Sequence, residues 1–415
     1  MEEKRVVVTG MGLITPIGST IEEFWHNLLN GKGGISRIES FAVDNFDSQI
    51  AGEIKNFDPT AYNIARKDAR HMDRFAQLAM VAAMQAVQNS GIDFEHEDRT
   101  EFGVIWGSGI GGMDIFEKEC RVLFERGPSR VSPFMIPMLI PDIAPGHISI
   151  LYGLQGANYA TVSACASSAH AIGESFNHIR AGRAIGMICG GSEAPITQMG
   201  LAGFCSLKAL STRNNAPEAA SRPFDLNRDG FVMGEGAGAL ILEELGHARA
   251  RGATIYGEIC GVGFSADAYH ITQPVPGGEG ARRSMWLALR DAGVQPEQVD
   301  YINAHGTSTP FNDKTETAAI KALFGAHAKR LKVNSTKSMT GHLLGASGVV
   351  ESIATLLSLV HGKLHPTINY ETPDPECDLD YIPNHAIDYP INTAISNSFG
   401  FGGHNVSLLF KKYEE

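Results

Sequence analysis

The chain has 415 residues, 43% of them hydrophobic and 19% charged, and a formal net charge of −12. That balance describes a globular protein large enough for two domains or two fused halves, and no long Lys/Arg run offsets the acid excess to suit nucleic acid as a main partner. Six cysteines, at 120, 165, 189, 205, 260 and 377, show neither a CxxC nor a zinc-like Cys/His spacing, so a reducing compartment is expected, without disulfides or zinc.

The N-terminal MEEKRVVVTG places two acids before three valines, too little for the apolar region of a signal peptide. No stretch approaches the roughly 18 uncharged apolar residues of a membrane span. A cytoplasmic location away from membranes is the expectation. RVVVTGMG reads as a strand, followed by a helix from about Ile21 to Leu29. IARKDARHMDR then offers Arg66, Lys67, Arg70 and Arg74, with Arg66 and Arg70 on one helical face, either solvated or a dock for an acidic partner. FGVIWGSG, YATVS, MICGGSE and GALILEEL continue as strands among helical patterns, then TIYGEICGVG, YINAHG, KVNSTK and AISNSFGFGGHNVSLLF. The alternation predicts an α/β protein of layered sheets and helices, divided near HARARGAT into halves 1–253 and 254–415. The proline-rich segment 365–390 reads as a long irregular surface loop.

GSGIGG, residues 107–112, satisfies the glycine pattern of a dinucleotide-binding turn and follows a strand. No second strand ending in an acid follows at the required distance, so close backbone packing beside a pocket is the preferred reading. In TVSACASSAH, residues 161–170, a strand gives way to a helix carrying Ile172, Phe176 and Ile179, with Gly182 as its stop. Cys165 therefore falls at a helix N-terminus among small neighbours, where backbone N–H groups and the helix dipole favour a thiolate. A buried inert thiol is the alternative.

Three later stretches place ionisable residues after strands and among glycines: NAHGTSTPFNDKTE with His305, NSTKSMTGHLLGASGVVE with His342, and NSFGFGGHN. Each histidine alone reads as structural, but with Cys165 they suggest a Cys/His/His site.

These four motifs, together with VVVTGMGLITPIG and RPFDLNRDGFVMGEGAG, resemble those of the β-ketoacyl-acyl carrier protein synthases, condensing enzymes of the thiolase superfamily. The resemblance runs over nearly the whole chain and is nearest to synthase II, because Ile110 stands where type I enzymes tend to have glycine. It implies a five-layered α/β/α/β/α thiolase fold with two related halves, a homodimer, and decarboxylative Claisen condensation of acyl-ACP with malonyl-ACP. Cys165 is then the nucleophile, and His305 and His342 stabilise the enolate oxygen. The backbone N–H groups of Cys165 and Phe401 form an oxyanion hole, with the Phe401 ring as a gate. Lys337 and Glu351 form a pair that positions and tunes His342, and Asp313 and Glu316 play supporting electrostatic roles. Ile110, Phe134 and Phe204 line the acyl tunnel, and Thr307 and Thr309 hold the phosphopantetheine arm or the malonyl group. Arg66, Lys67, Arg70, Arg130, Lys208 and Arg213 form the docking surface for acidic acyl carrier protein.

The resemblance also implies a monovalent cation, Na+ or K+, near Asn303, Glu351, Ser396 and Asn397, and no redox cofactor, nucleotide or divalent metal. His404 departs from the family's usual threonine. A thiolase is disfavoured because no second cysteine stands in GFGGHN, and a synthase III by the presence of His342. A polyketide ketosynthase shares the same residues and stays open. A catalytically silent partner would be expected to have lost Cys165.

Overall fold

The computed structural model describes residues 3–414. Ten strands form one hydrogen-bonded sheet: β1 (Val6–Ile14), β2 (Phe102–Gly107), β3 (Asn158–Thr161), β4 (Gly186–Glu193), β5 (Gly236–Glu244), β6 (Gly257–Ala266), β7 (Tyr301–Asn303), β8 (Lys332–Asn334), β9 (Thr393–Gly400) and β10 (His404–Lys411). Outward from a central seam the order is β1-β5-β4-β2-β3 on one side and β6-β10-β9-β7-β8 on the other. Each strand of the first series thus has a counterpart five strands later. Pairing directions repeat as well: the two ladders nearest the seam on each side are antiparallel and the next two parallel. The seam itself is a three-residue antiparallel ladder, Val6–Val8 against Gly257–Ile259. The division expected at 253/254 falls in the loop just before β6.

Seven helices matter for the layering: α1 (Ile21–Leu29), α2 (Arg74–Ser90), α3 (Met113–Arg126), α4 (Ser167–Arg180), α5 (Glu279–Ala292), α6 (Pro310–Phe324) and α7 (Ser347–His361). α2 covers the outer face of the first half-sheet and α5 that of the second, while α4 and α7 lie between the half-sheets. The result is the α/β/α/β/α stack of a thiolase-like fold. Strand alternation follows from this burial on both faces: Leu240 and Leu242 join the central core, Ala239 and Ile241 the outer one beneath α2. Leu408 and Leu409 divide in the same way across β10.

Two expectations need correction. The 18-residue window Leu344–His361, at mean hydropathy 1.4, does reach the length and apolarity of a span, but 89% of it is buried in the protein. It is apolar nearly all round because it is the central helix, α7 with its preceding turn, packed from both sides. The 365–390 segment is irregular but not superficial. His365, Thr367, Cys377, Tyr381 and Ile382 are buried, and Asp225 Oδ2 accepts from the N–H groups of Glu371 and Thr372. Exposed stretches such as residues 375–376 and 383–385 alternate with these anchored ones.

Candidate active site

Cys165 sits in the short turn Ala164–Ala166 between β3 and α4. Ala164 takes φ +51°, a left-handed conformation that a side chain adopts only under constraint. The constraint is a local network: Ser163 N–H donates to Ser167 Oγ (2.9 Å), which donates to Ala164 O (2.7 Å). The second half repeats the device. After β8 the turn Leu344–Ala346 opens on Leu344 at φ +47° and leads into α7 at Ser347, as the first leads into α4 at Ser167. Gly345 therefore occupies the position in the second half that Cys165 occupies in the first.

Above Cys165 lies the end of β9. A Cβ on Gly400 would come within 2.7 Å of Ser163 O and 3.1 Å of Cys165 N, so only glycine lets the two backbones meet. The N–H groups of Phe401 and of Cys165 itself both face the sulfur. The thiol is buried, and burial pushes it up to about 12, against the pull of the Lys337 ammonium and those N–H groups. The helix terminus expected to favour a thiolate is there, but desolvation dominates and the resting group is a neutral thiol.

His305 follows β7, and its backbone N–H and that of Gly306 each donate to the Glu316 carboxylate at 2.9 Å. Asn397 Nδ2 donates to the same carboxylate (3.2 Å). His342 is fixed by its N–H to Val232 O (2.7 Å) and by Ser347 Oγ at 2.9 Å from Nδ1. The two imidazole rings meet edge to face at 5.3 Å. Burial first, and then the Lys337 charge, hold both well below the ordinary histidine value, so both are neutral.

Lys337 is buried with its ammonium 2.5 Å from Glu351 Oε1. It also donates to His305 O (2.6 Å) and approaches His305 Nδ1 at 3.3 Å. This corrects the expected assignment: the Lys337/Glu351 pair orients His305, and Ser347 orients His342. An ammonium cannot accept, so His305 Nδ1 is the acceptor and its proton sits on Nε2. Burial pushes Glu351 up to about 7 even beside Lys337. Asp313 stands apart, accepting from Phe224 N–H (2.8 Å) and facing Arg228 at 3.6 Å.

Cys165, His305 and His342 open into one cavity of about 500 Å³, lined also by Ile110, Phe204, Thr307, Thr309 and Phe401. Thr307 and Thr309 share a hydrogen bond (2.9 Å). Phe134 is absent from the cavity: it is 44% exposed and stacks on His71 at 4.1 Å between centroids. It follows α3 on an outward-facing stretch that never turns toward Cys165. Sequence reasoning missed Phe231 and Phe399, which wall the histidines at 5.3 and 5.6 Å, and Glu193. Phe399 alternates with Phe401 across the end of β9, and Glu193 is an acid closing a strand otherwise built of buried residues; those were the available signals. His404 begins β10 and stands 6.5 Å from His170.

Arg66, Lys67, Arg70 and Arg130 are exposed and form no ion pair among the described residues. Lys208, on the cavity wall, pairs with Asp47 (2.6 Å), and Arg213 donates to Asn227 O (3.1 Å). At the expected cation position, Asn303 Oδ1, Glu351 Oε2 and Ser396 Oγ are buried without hydrogen-bond partners among the described residues, and Asn303 and Ser396 are paired across β7 and β9. Asn397 Oδ1 instead accepts from Ser407 Oγ.

Residues 3–248 match the family model of the β-ketoacyl synthase N-terminal domain, and residues 256–371 that of the C-terminal domain. The chain belongs to the β-ketoacyl synthase family. The synthase is 53% identical to the 3-oxoacyl-[acyl-carrier-protein] synthase 2 of Synechocystis sp. over 100% of this chain and 99% of the relative. It is 54% identical to the synthase 2 of Staphylococcus aureus, with the same coverage. Among solved structures, a ketosynthase in complex with a type II PKS acyl-carrier protein superposes with TM-score 0.91 at 37% identity, each chain fully covered. The ishigamide ketosynthase/chain length factor gives 0.93 at 34% identity, covering 99% of this chain and 100% of the other. Condensing enzymes of this kind are acyltransferases that make a carbon–carbon bond by Claisen condensation.

Proposed function

We infer that this synthase elongates fatty acyl chains by two carbons, condensing acyl-ACP with malonyl-ACP to 3-oxoacyl-ACP, carbon dioxide and free ACP. The carrying observation is that one cavity holds a thiol facing two backbone N–H groups together with two neutral imidazoles. In the first half-reaction the Cys165 sulfur attacks the thioester carbonyl, whose oxygen is held by the N–H groups of Cys165 and Phe401. The bond to the phosphopantetheine sulfur breaks, and the proton lost by Cys165 balances the one gained by the departing thiol. In the second, malonyl-ACP loses carbon dioxide, and the enolate oxygen accepts from Nε2–H of His305 and of His342. The enolate carbon then attacks the acyl-cysteine, the C–S bond breaks, and Cys165 regains a proton from solvent. Neutral imidazoles suit this role because they donate without surrendering a proton to the product. Fatty-acid elongation is favoured over polyketide assembly because the synthase 2 relatives are 53–54% identical, against 37% for the ketosynthase solved with a type II PKS acyl-carrier protein.

Further readings have separate supports. Exposed Arg66, Lys67, Arg70 and Arg130 form the dock for acidic carrier protein, joined by Arg213 and by Lys208 on the cavity wall. Exposed Phe124 (85%), Ile150 (80%) and Val162 (60%) are apolar side chains that a second copy would cover in a homodimer, and Phe134, outside its own chain's cavity, would then serve the acyl tunnel of the other subunit. A monovalent cation held by Asn303, Glu351 and Ser396 satisfies their unpartnered oxygens and stiffens the Lys337 pair; chemistry at Cys165 does not pass through it. A cytoplasmic location fits six free thiols.

The test is intact-protein mass after mixing with dodecanoyl-ACP, before and after malonyl-ACP. One acyl group gained and then discharged as a 3-ketoacyl-ACP two carbons longer is expected, with no adduct on Cys165→Ala. An adduct on Cys165→Ala equal to wild type would refute the nucleophile. A melting temperature unchanged between potassium chloride and choline chloride would remove the cation.

A further inference from the structure

The GSGIGG turn has no ligand role in the proposed chemistry, yet it is held by an unusual internal carboxyl group. Glu193, at the end of β4, is completely buried, and its carboxylate accepts four hydrogen bonds. Oε1 accepts from Ser108 Oγ (2.9 Å) and Ile110 N–H (3.1 Å); Oε2 accepts from Gly109 N–H (2.7 Å) and Gly345 N–H (2.9 Å). Ser108 Oγ itself accepts from Gly111 N–H (3.1 Å), which leaves its proton for Glu193. All four donors point at the carboxyl group; burial pushes Glu193 above the usual carboxylate range while these bonds pull it back, and the acceptor oxygens that a dinucleotide phosphate would bring to such a turn are already supplied by the protein.

The bonded segments come from opposite halves of the fold. Gly109 and Ile110 follow β2, whereas Gly345 sits in the second half at the position equivalent to Cys165. A Cβ on Gly345 would lie 2.5 Å from both Glu193 Oε2 and Gly109 N, so the contact requires glycine. Just beyond these bonds, Ile110, Leu344 and Cys165 pack in one apolar cluster beside the cavity.

We propose that Glu193 is a positioning residue that locks the 108–110 turn to the 344–345 turn, and so fixes the wall formed by Ile110 and Leu344 against which an acyl chain is measured. This rests on the acyl-cysteine reading above. A Gln at 193 keeps the shape but directs an NH2 at backbone N–H donors, so at least one segment is released. With the wall no longer fixed, discrimination among chain lengths relaxes. The carboxylate also opposes ionisation of Cys165. Loss of that charge and any hydration admitted by the released turns both move thiol alkylation to lower pH, so the chain-length profile is the deciding readout.

The experiment uses the full-length protein with hexanoyl- to hexadecanoyl-ACP, following acyl-enzyme formation by intact mass, and iodoacetamide alkylation across pH. For Glu193→Gln the ratio between the best and worst chain lengths moves toward one by about fivefold or more, the effect of one lost hydrogen bond. Alkylation shifts to lower pH. Ser108→Ala, which removes one of the four donors, gives a smaller change in the same direction and decides the matter should Glu193→Gln not fold. A folded Glu193→Gln with the wild-type chain-length profile overturns the proposal, whatever its alkylation rate. Absence of any acyl adduct on wild type would instead overturn the acyl-cysteine reading.

Discussion

Gly400→Ala adds one methyl group directly over the nucleophile. The new Cβ would lie 2.7 Å from Ser163 O, 3.1 Å from Cys165 N and 3.3 Å from Ala166 N, all backbone atoms that no side-chain rotation relieves. Gly400 has no left-handed φ, so the effect is contact alone. Overpacking of this kind destabilises by about 1–3 kcal/mol. At roughly 2 cal/mol/K of unfolding entropy per residue, that is about 1–3 °C in melting temperature for a 415-residue chain. The functional effect is far larger, because relief requires the Ser163–Ala166 turn and the Phe401 N–H to move apart. Loss of one oxyanion donor lowers kcat by about 10² to 10³. Rapid-quench intact mass with dodecanoyl-ACP reads the acylation rate, and scanning calorimetry reads stability. Gly203→Ala, on an exposed helical site where a Cβ meets nothing within 4 Å, is the control and retains acylation. A Gly400→Ala protein that acylates within about twofold of wild type would refute the oxyanion geometry.

Lys337→Met strands the buried Glu351 carboxylate and destabilises by about 3–5 kcal/mol at pH 8 in urea titration. Burial pushes Glu351 up to about 7 even with Lys337 pulling it down, so without Lys337 the carboxyl takes up its proton at higher pH still; the deficit therefore shrinks as pH falls toward 7 and levels off below it, where wild type is protonated too, and a deficit independent of pH would contradict this. The Cys165 thiol, pushed up to about 12, should alkylate slowly, with a rate rising about tenfold per unit between pH 7 and 10; a plateau in that range would disprove a neutral resting thiol. Since both histidines are held well below the ordinary value of 6.5, neither adds an inflection to the discharge of preformed acyl-enzyme by malonyl-ACP between about pH 6 and 8, and an inflection near 6.5 that persists in Glu351→Gln would show an imidazolium in the cycle.

The α/β alternation, the turn that carries Cys165 and the candidate set Cys165, His305 and His342 were legible in the sequence, because each lies in a short motif whose backbone demands are local; Lys337 and Phe401 joined them only through the family resemblance. Small residues around Cys165 and glycines around Phe401 announce close approach before any approach is known. Which partner each side chain meets is set by contacts between segments far apart in the chain. Lys337 stands five residues from His342 in sequence, yet its ammonium reaches His305, since the turn after β8 lies beside the turn after β7. Cys165 is at a helix N-terminus as read, but its ionisation is governed by burial among residues distant in sequence, such as Val43, Leu201, Phe231 and Leu344, which no local pattern reports. Glu193 ends a strand in the sequence and joins two distant turns in space. Phe134 has the composition of a tunnel wall and lies outside the chain's own cavity. Such pairings depend on where separate strands of a ten-stranded sheet bring their loops together, and that is set by packing across the whole chain.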